Sequence, residues 1–220
     1  MWSYFRSPGI EFGLPDPVCR GQLKPHVHTD VQIMFVTHGS RRVVLGGHRV
    51  VVPSGSALVI PSGIAHVADG DDWEGFNAYV RPEHLANRSA RIIRFEQPID
   101  GAGRLGRHDH SLQLAQLTGV LMQGETIWAD PGLKAFRPGD PAMDDWPQSR
   151  EGQIRKYQRE AGITPHAHFN AMRLDAARRM LAAGASIAAV AADLDFTDQS
   201  HLGRQFRATF GITPGRYASG

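Results

Sequence analysis

A single cysteine, Cys19, stands among 220 residues, so no intrachain disulfide can form and the fold must hold without such a staple. The chain also lacks any apolar run long enough to cross a bilayer. Its first residues, Met1-Trp2-Ser3-Tyr4, do not have the basic start and apolar stretch of a secretory signal. Together these absences predict a cytoplasmic protein with no membrane partner. A large excess of one charge is missing too: the formal net charge is +2, too small to name a partner by itself.

What is present is enough for a globular protein. Hydrophobic residues make up 41% of the chain, which supplies a packed core, and the length allows one large domain or two modest ones. The charge is unevenly placed. Residues 1–146 carry 14 Lys+Arg against 16 Asp+Glu, a balance of −2, while residues 147–220 carry 10 against 6, a balance of +4. The second part is therefore mildly basic and arginine-rich, which permits nucleic-acid binding without demanding it.

The sequence changes character twice. Between residues 31 and 95 it reads as short strands: Val31–Val36, Arg41–Leu45, His48–Val52, Ala57–Ile60, Trp73–Val80 and Ile92–Phe95 are rich in β-branched and aromatic residues. Gly46-Gly47 separates two of them, as a two-residue hairpin turn requires. Closely spaced strands with Gly/Pro punctuation predict a barrel or sandwich. Residues 109–128 then read as one helix carrying Leu112, Ala115, Leu117, Val120 and Leu121, which suits either a linker or dimerisation helix or a helix packed on its own barrel. Pro131, Pro138, Pro141 and Pro147, with Gly132 and Gly139, break regular structure up to residue 147. Everything after that reads as helix. Thr164-Pro165 opens a helix in which Phe169, Met172, Ala176 and Met180 recur as an expected core stripe, and Gly184 closes it.

Two short helices follow with a tight joint. Ser186 caps the first, whose Ile187, Val190, Ala191 and Leu194 share one face. Asp198 caps the second, where Leu202, Phe206 and Phe210 form an apolar line and Gln199, Ser200, His201, Arg204 and Arg207 lie on the other side. This is what a helix-turn-helix needs: one helix braces another so that its N-terminal side chains reach base edges in the major groove. Arginine can pair with guanine and glutamine with adenine. An ordinary helical hairpin with solvated arginines would show the same pattern. The stretch Ser186–Tyr217, however, strongly resembles the C-terminal helix-turn-helix of the AraC/XylS family. The matching positions are Ile187, Val190-Ala191, Phe196, Ser200-His201, Leu202, Arg204, Phe206-Arg207, Gly211, Thr213-Pro214 and Tyr217. The family usually has Gly just before the Phe, where this chain has Asp195. That turn position needs a positive φ, which Asp tolerates at a cost.

Family members carry two such units, and a repeat is visible. Arg155-Lys156-Tyr157 with Gly162-Ile163-Thr164-Pro165 echoes Arg204-Gln205-Phe206 with Gly211-Ile212-Thr213-Pro214 at an offset of 49 residues. Residues 149–161 should thus form the second helix of a first unit, with Arg150 and Arg155 exposed. Its bracing helix should fall near residues 137–145, where two prolines and three aspartates make a poor helix, so the first unit reads as truncated.

In the strand-rich part, Pro25-His26-Val27-His28 precedes Gln32 and Gly39, and Gly55, Pro61, Gly63 and His66 are spaced Gly-x5-Pro-x-Gly-x2-His. This resembles the two cupin motifs, with Gln32 where the first commonly has Glu and Gly70 where the second commonly has Asn. Two residues apart on an extended segment, His26 and His28 face one way. Three imidazoles and an amide oxygen suit Zn²⁺, Fe²⁺, Ni²⁺ or Mn²⁺, and the same residues suit hydrogen bonding to an organic effector. The resemblance implies an α+β multidomain chain: a cupin-like, jelly-roll-type β-barrel sensor over residues 1–108, a helix and Pro/Gly-rich linker over 109–147, and an all-α helix-turn-helix domain over 148–220. It implies double-stranded DNA, a small-molecule effector and a second copy of the chain, as a homodimer, for partners. A cupin metalloenzyme, such as a dioxygenase or isomerase, with a helical appendage is the rival reading. It accounts for the histidines but not for Ser186–Tyr217.

Overall fold

The computed structural model describes residues 2–15, 23–69, 72–85, 89–96, 110–133, 135, 147 and 149–220. Nine strands come first: β1 (Trp2–Ser7), β2 (Ile10–Pro15), β3 (Val31–Leu45), β4 (His48–Pro53), β5 (Ser56–Ile60), β6 (His66–Asp69), β7 (Trp73–Val80), β8 (Ala90–Arg94) and, after helix α1 (His110–Gln123), β9 (Glu125–Asp130). Five helices complete the chain: α2 (Arg150–Ala161), α3 (Pro165–Ala182), α4 (Ile187–Asp193), α5 (Gln199–Phe210) and α6 (Pro214–Ala218). The architecture is a cupin-like β domain followed by a helical helix-turn-helix domain. Among the described residues no helix is long and apolar enough to cross a membrane.

Strand β3 organises the barrel. Its first half runs between β7 and β5, and its second half pairs with β4 and β6. A register shift between Val36 and His38 turns it from one sheet to the other, as a bulge does. Sequence alone suggested two strands here, and they are the two halves of this one. Residues Val31–Val36 are buried on both faces. Val31, Ile33 and Phe35 pack outward with Leu117 and Leu121 of α1, while Met34 and Val36 line the barrel interior with Leu58, Ile60 and Ile92. Gln32 shares the parity of Met34, so the pleat aims it inward. Between β3 and β4, Gly46 and Gly47 take φ of +52° and +83°, the pair of left-handed residues that a type I′ hairpin needs.

Two expectations are corrected. The helix read over residues 109–128 ends at Gln123, and residues 125–130 form β9 on the edge of β8. Gly124 sits at the change because a Cβ there would come within 2.2 Å of Ile93 Cγ2. Thr126, Ile127 and Trp128 suit a strand, and pairing with β8 decides the matter over local helix periodicity. The expected core stripe of α3 is also rotated. Phe169 and Met172 are 55% and 38% exposed, and the buried residues are His168, Ala171, Leu174, Asp175, Ala177, Arg178 and Leu181. Helix α3 packs on the barrel as well as on its own domain, so polar Asp175 and Arg178 point inward.

The halves share a core and a charge network. Trp2, Tyr4 and Tyr79 of the barrel join Leu174, Leu181, Phe206, Phe210 and Tyr217 in one buried cluster. Arg178 donates from Nη1 to Glu11 at 2.6 Å, from Nη2 to Asp30 at 2.6 Å and from Nε to Asp175 at 3.2 Å. Glu11 also accepts from Arg6 Nε at 3.0 Å and from the Tyr217 hydroxyl at 2.5 Å. Burial works against charge on Arg178, but Glu11 and Asp175 overcome it and hold the guanidinium above its ordinary range.

Removing that guanidinium strands buried carboxylates on both sides of the contact. Arg178→Met should lower stability to urea by about 3–5 kcal/mol. A loss no larger than that of an exposed ion pair would show that water replaces the arginine.

Candidate functional site

Two places carry chemistry: a histidine cluster at the mouth of the barrel and the exposed face of α5. They meet at one end of the same helix.

His26 lies on a short extended segment bridged to His66, each backbone N–H donating to the other's carbonyl at 2.9 and 3.0 Å. His28 is two residues on, so it projects on the side of His26, and Gly63 fixes it by donating to its carbonyl at 2.8 Å. The three rings are buried, with centroids 4.4–5.4 Å apart, and each offers a ring nitrogen within 4.8 Å of the others. Gln32 reaches the same spot from β3, its Oε1 lying 2.8 Å from His66 Nε2. The structure thus brings together the four residues His26, His28, Gln32 and His66. Gly70 lies outside the described residues.

Protonation follows from burial. It pushes His26 down to about 3, His28 below its usual value and His66 well below it, with the neighbouring imidazoles adding to the effect on His26 and His66. Burial thus favours the neutral imidazole at all three, the form that ligation requires. His26 Nδ1 pairs with the Lys24 carbonyl at 2.8 Å and His66 Nδ1 with the Ile64 carbonyl at 2.9 Å. A carbonyl only accepts, so both rings carry hydrogen on Nδ1 and a lone pair on Nε2, the arrangement found behind metal-bound imidazoles. His66 Nε2 then meets the Gln32 amide. The pair is satisfied by the amide NH₂ turned toward the ring or by a cation shared with the amide oxygen. His28 is the orphan: neither of its ring nitrogens has a hydrogen-bond partner among the described residues.

The cavity beside these residues is lined by His26, Gln32 and His66 from the barrel and by Thr209 and Phe210 from α5. Its volume is about 20 Å³, room for one water-sized occupant. Phe210 lies 6.2 Å from the His26 ring and 6.1 Å from the His28 ring, centroid to centroid. Lys24, beside His26, donates from its backbone to Ala208 at 3.0 Å and from Nζ to Gln205 at 3.2 Å. Sequence reasoning missed Glu11, Asp30, Asp175 and Arg178, because no local pattern announces partners more than a hundred residues apart.

In the C-terminal domain, Ser186 caps α4 by accepting from Ala189 N at 3.2 Å, and Asp198 caps α5 by accepting from His201 N at 2.6 Å. Asp195 takes φ of +55°, as the departure from Gly required. Val190 and Ala191 of α4 and Leu202, Phe206, Thr209 and Phe210 of α5 are buried. Gln199, Ser200, Arg204 and Arg207 are exposed, whereas the His201 ring is half-buried, edge-on to Phe196 at 5.6 Å. Arg150 and Arg155 are exposed on α2, which begins 49 residues before α5. The stretch 137–145, where the first unit's bracing helix would fall, is outside the described residues.

A ligand-binding cupin-like barrel joined to a helix-turn-helix defines a transcription-regulator class. A family model for the AraC-like ligand binding domain matches residues 20–133, just over half the chain, and a helix-turn-helix domain model matches residues 149–220. The chain belongs to the AraC/XylS family. The HTH-type transcriptional regulator MtrA of Neisseria gonorrhoeae is 30% identical over 70 residues, which cover 31% of this chain and 23% of that protein. Among solved structures, unsaturated fatty acid-bound ToxT from Vibrio cholerae superposes with a TM-score of 0.50 at 13% identity, covering 90% of this chain and 89% of that one. Apo ToxT K231A gives 0.52 at 10% identity over 97% and 98%. These two likenesses concern the fold.

The strained turn supplies its own test. Asp195→Gly should relieve the left-handed strain and raise stability by up to about 1 kcal/mol. Thermal unfolding reads the change, and a lower midpoint would show that the Asp195 side chain contributes more than its backbone costs.

Proposed function

We propose that this chain binds double-stranded DNA sequence-specifically through α5 and that an occupant of the barrel's histidine cluster sets how it does so. The observation that carries the reading is α5 itself. Its N-terminal turns present Gln199, Ser200 and Arg204 to solvent while α4 braces its back, and its last turn closes the cavity beside the histidines. Arg150 and Arg155 of α2 stand at the positions equivalent to Gln199 and Arg204 and would add a second, weaker grip. A homodimer would join such grips and raise avidity.

The cavity's size supports an ion as the occupant. A volume of about 20 Å³ does not admit an organic effector while Phe210 stays in place. The metalloenzyme reading leaves the helix-turn-helix match over residues 149–220 unexplained. Borderline divalent ions such as Zn²⁺, Fe²⁺ and Ni²⁺ match the imidazoles, and Mn²⁺ would lean on the Gln32 oxygen. Once bound, the ion supplies fixed positive charge and directional bonds at the barrel mouth. The chain's own residues orient the rings, and Phe210 packs beside them. Protein purified without chelators should carry a stoichiometric divalent ion that His26→Ala/His66→Ala loses, as read by elemental analysis. A metal-free wild type that takes up none of these ions would end this part of the reading.

DNA recognition is tested by two arginines. Arg204 lies one turn beyond Ser200 and should read a base, so Arg204→Ala should cost about 1–3 kcal/mol at the preferred site and relax base choice at one position. Arg207 lies further along, toward phosphate. Arg207→Ala should weaken binding equally on all sequences and flatten the salt dependence. Retardation assays on selected and random DNA separate the two, and equal small effects on both would show that α5 is not the reading helix.

A further inference from the structure

His28 differs from its two neighbours in what stands behind it. His26 and His66 are each oriented by a backbone carbonyl of their own segment, from Lys24 and Ile64. The acceptor facing His28 Nδ1 belongs to the other half of the molecule: Asp175 Oδ1 of α3, at 3.5 Å. Asp175 is 2% exposed and firmly held. Its Oδ2 accepts from Thr29 N at 3.1 Å and Thr29 Oγ1 at 3.0 Å, and its Oδ1 accepts from Arg178 Nε at 3.2 Å. It is a fixed anion aimed at an otherwise unpartnered imidazole.

A carboxylate on Nδ1 selects the tautomer with hydrogen there and leaves the Nε2 lone pair for a metal. It also makes the ring a stronger donor. We propose that Asp175 is the positioning residue for His28 in a divalent-metal site formed by His26, His28 and His66, so that the ion clamps the DNA-binding half onto the barrel. The inference rests on the metal reading given above. Tight binding of the ion requires α3 to be docked, and by linkage the bound ion holds α3 docked. The same docking keeps Phe210, at the end of α5, against the histidines. A bound ion therefore fixes where the reading helix points.

The test uses the full chain with Zn²⁺ alone as probe. Affinity is measured by competition with a chromophoric chelator, and amide hydrogen exchange is followed with and without Zn²⁺. The wild type should bind Zn²⁺ and gain protection in α3 and the end of α5 as well as in the barrel strands. Asp175→Asn keeps the shape but removes the charge, and should weaken Zn²⁺ binding about 10–100-fold. It should also confine the protection to the barrel. Glu11→Gln provides a second route. It loosens the grip on Arg178 without touching a histidine, and it too should bind Zn²⁺ more weakly. A wild type that takes up no Zn²⁺ overturns the metal reading and this inference together. Wild-type binding with protection limited to the barrel overturns the clamp and leaves the metal site standing. So does undiminished affinity in a folded Asp175→Asn or Glu11→Gln protein.

Discussion

The guanidinium of Arg178 is the constraint on which the arrangement depends. It lies on the DNA-binding side, yet two of its three carboxylate partners, Glu11 and Asp30, belong to the barrel. A buried charge of this kind contributes little net stability, because desolvation consumes most of the Coulomb gain. What it does contribute is a single permitted geometry. An apolar contact between the halves tolerates sliding, whereas a guanidinium meeting Glu11, Asp30 and Asp175 does not. Tyr217 and Arg6, both bound to Glu11, extend the lock to α6 and β1.

With that geometry fixed, α5 serves two surfaces at once. It is a rigid rod of 12 residues, about 18 Å long at 1.5 Å per residue. Its first turns face outward with Gln199, Ser200 and Arg204, and its last turn, Thr209 and Phe210, closes the cavity beside His26 and His66. In the proposed mode of action, a change at the cluster would reach the outward-facing turn through α5 itself. Such a coupling would need one packed element and no chain of side chains across the molecule.

Local patterns in the sequence revealed what is local in the structure. The caps at Thr164, Ser186 and Asp198 are all in place, because a cap depends on residues three positions apart. The positive φ of Asp195 and the Gly46-Gly47 hairpin were legible for the same reason. The meeting of His26, His28, Gln32 and His66 was legible through motif spacing and strand parity. What was hidden depends on distant partners. Strands β1 and β2, although Ile10, Phe12 and Leu14 alternate with Glu11 and Gly13, are fixed by pairing with each other and with β7, and β9 exists because β8 offers an edge. The face of α3 was misjudged because apolarity alone places Phe169 and Met172 inside. Their places are taken by Asp175 and Arg178, whose burial makes sense only against Glu11, Asp30 and Thr29.

The repeat of 49 residues places α2 and α5 alike against the barrel. Helices α2 and α5 end in the same cap, Gly162 at φ +77° and Gly211 at φ +72°, and each is followed by a Thr-Pro that opens the next helix. Both caps touch the barrel. A Cβ on Gly162 would lie 2.6 Å from the backbone nitrogen of Gly47 in the β3–β4 hairpin, and one on Gly211 would lie 2.4 Å from the Trp2 ring. A side chain at Gly162 would press on the hairpin backbone, and one at Gly211 would require the Trp2 ring to move. The C-terminal ends of α2 and α5 thus approach the barrel at equivalent glycines, one against the β3–β4 hairpin and one against Trp2. Their N-terminal turns, with Arg150 on one and Gln199 on the other, point away from it. Close approach at Gly47 and at Trp2 thus adds to the α3 connection in placing α2 and α5 on the barrel.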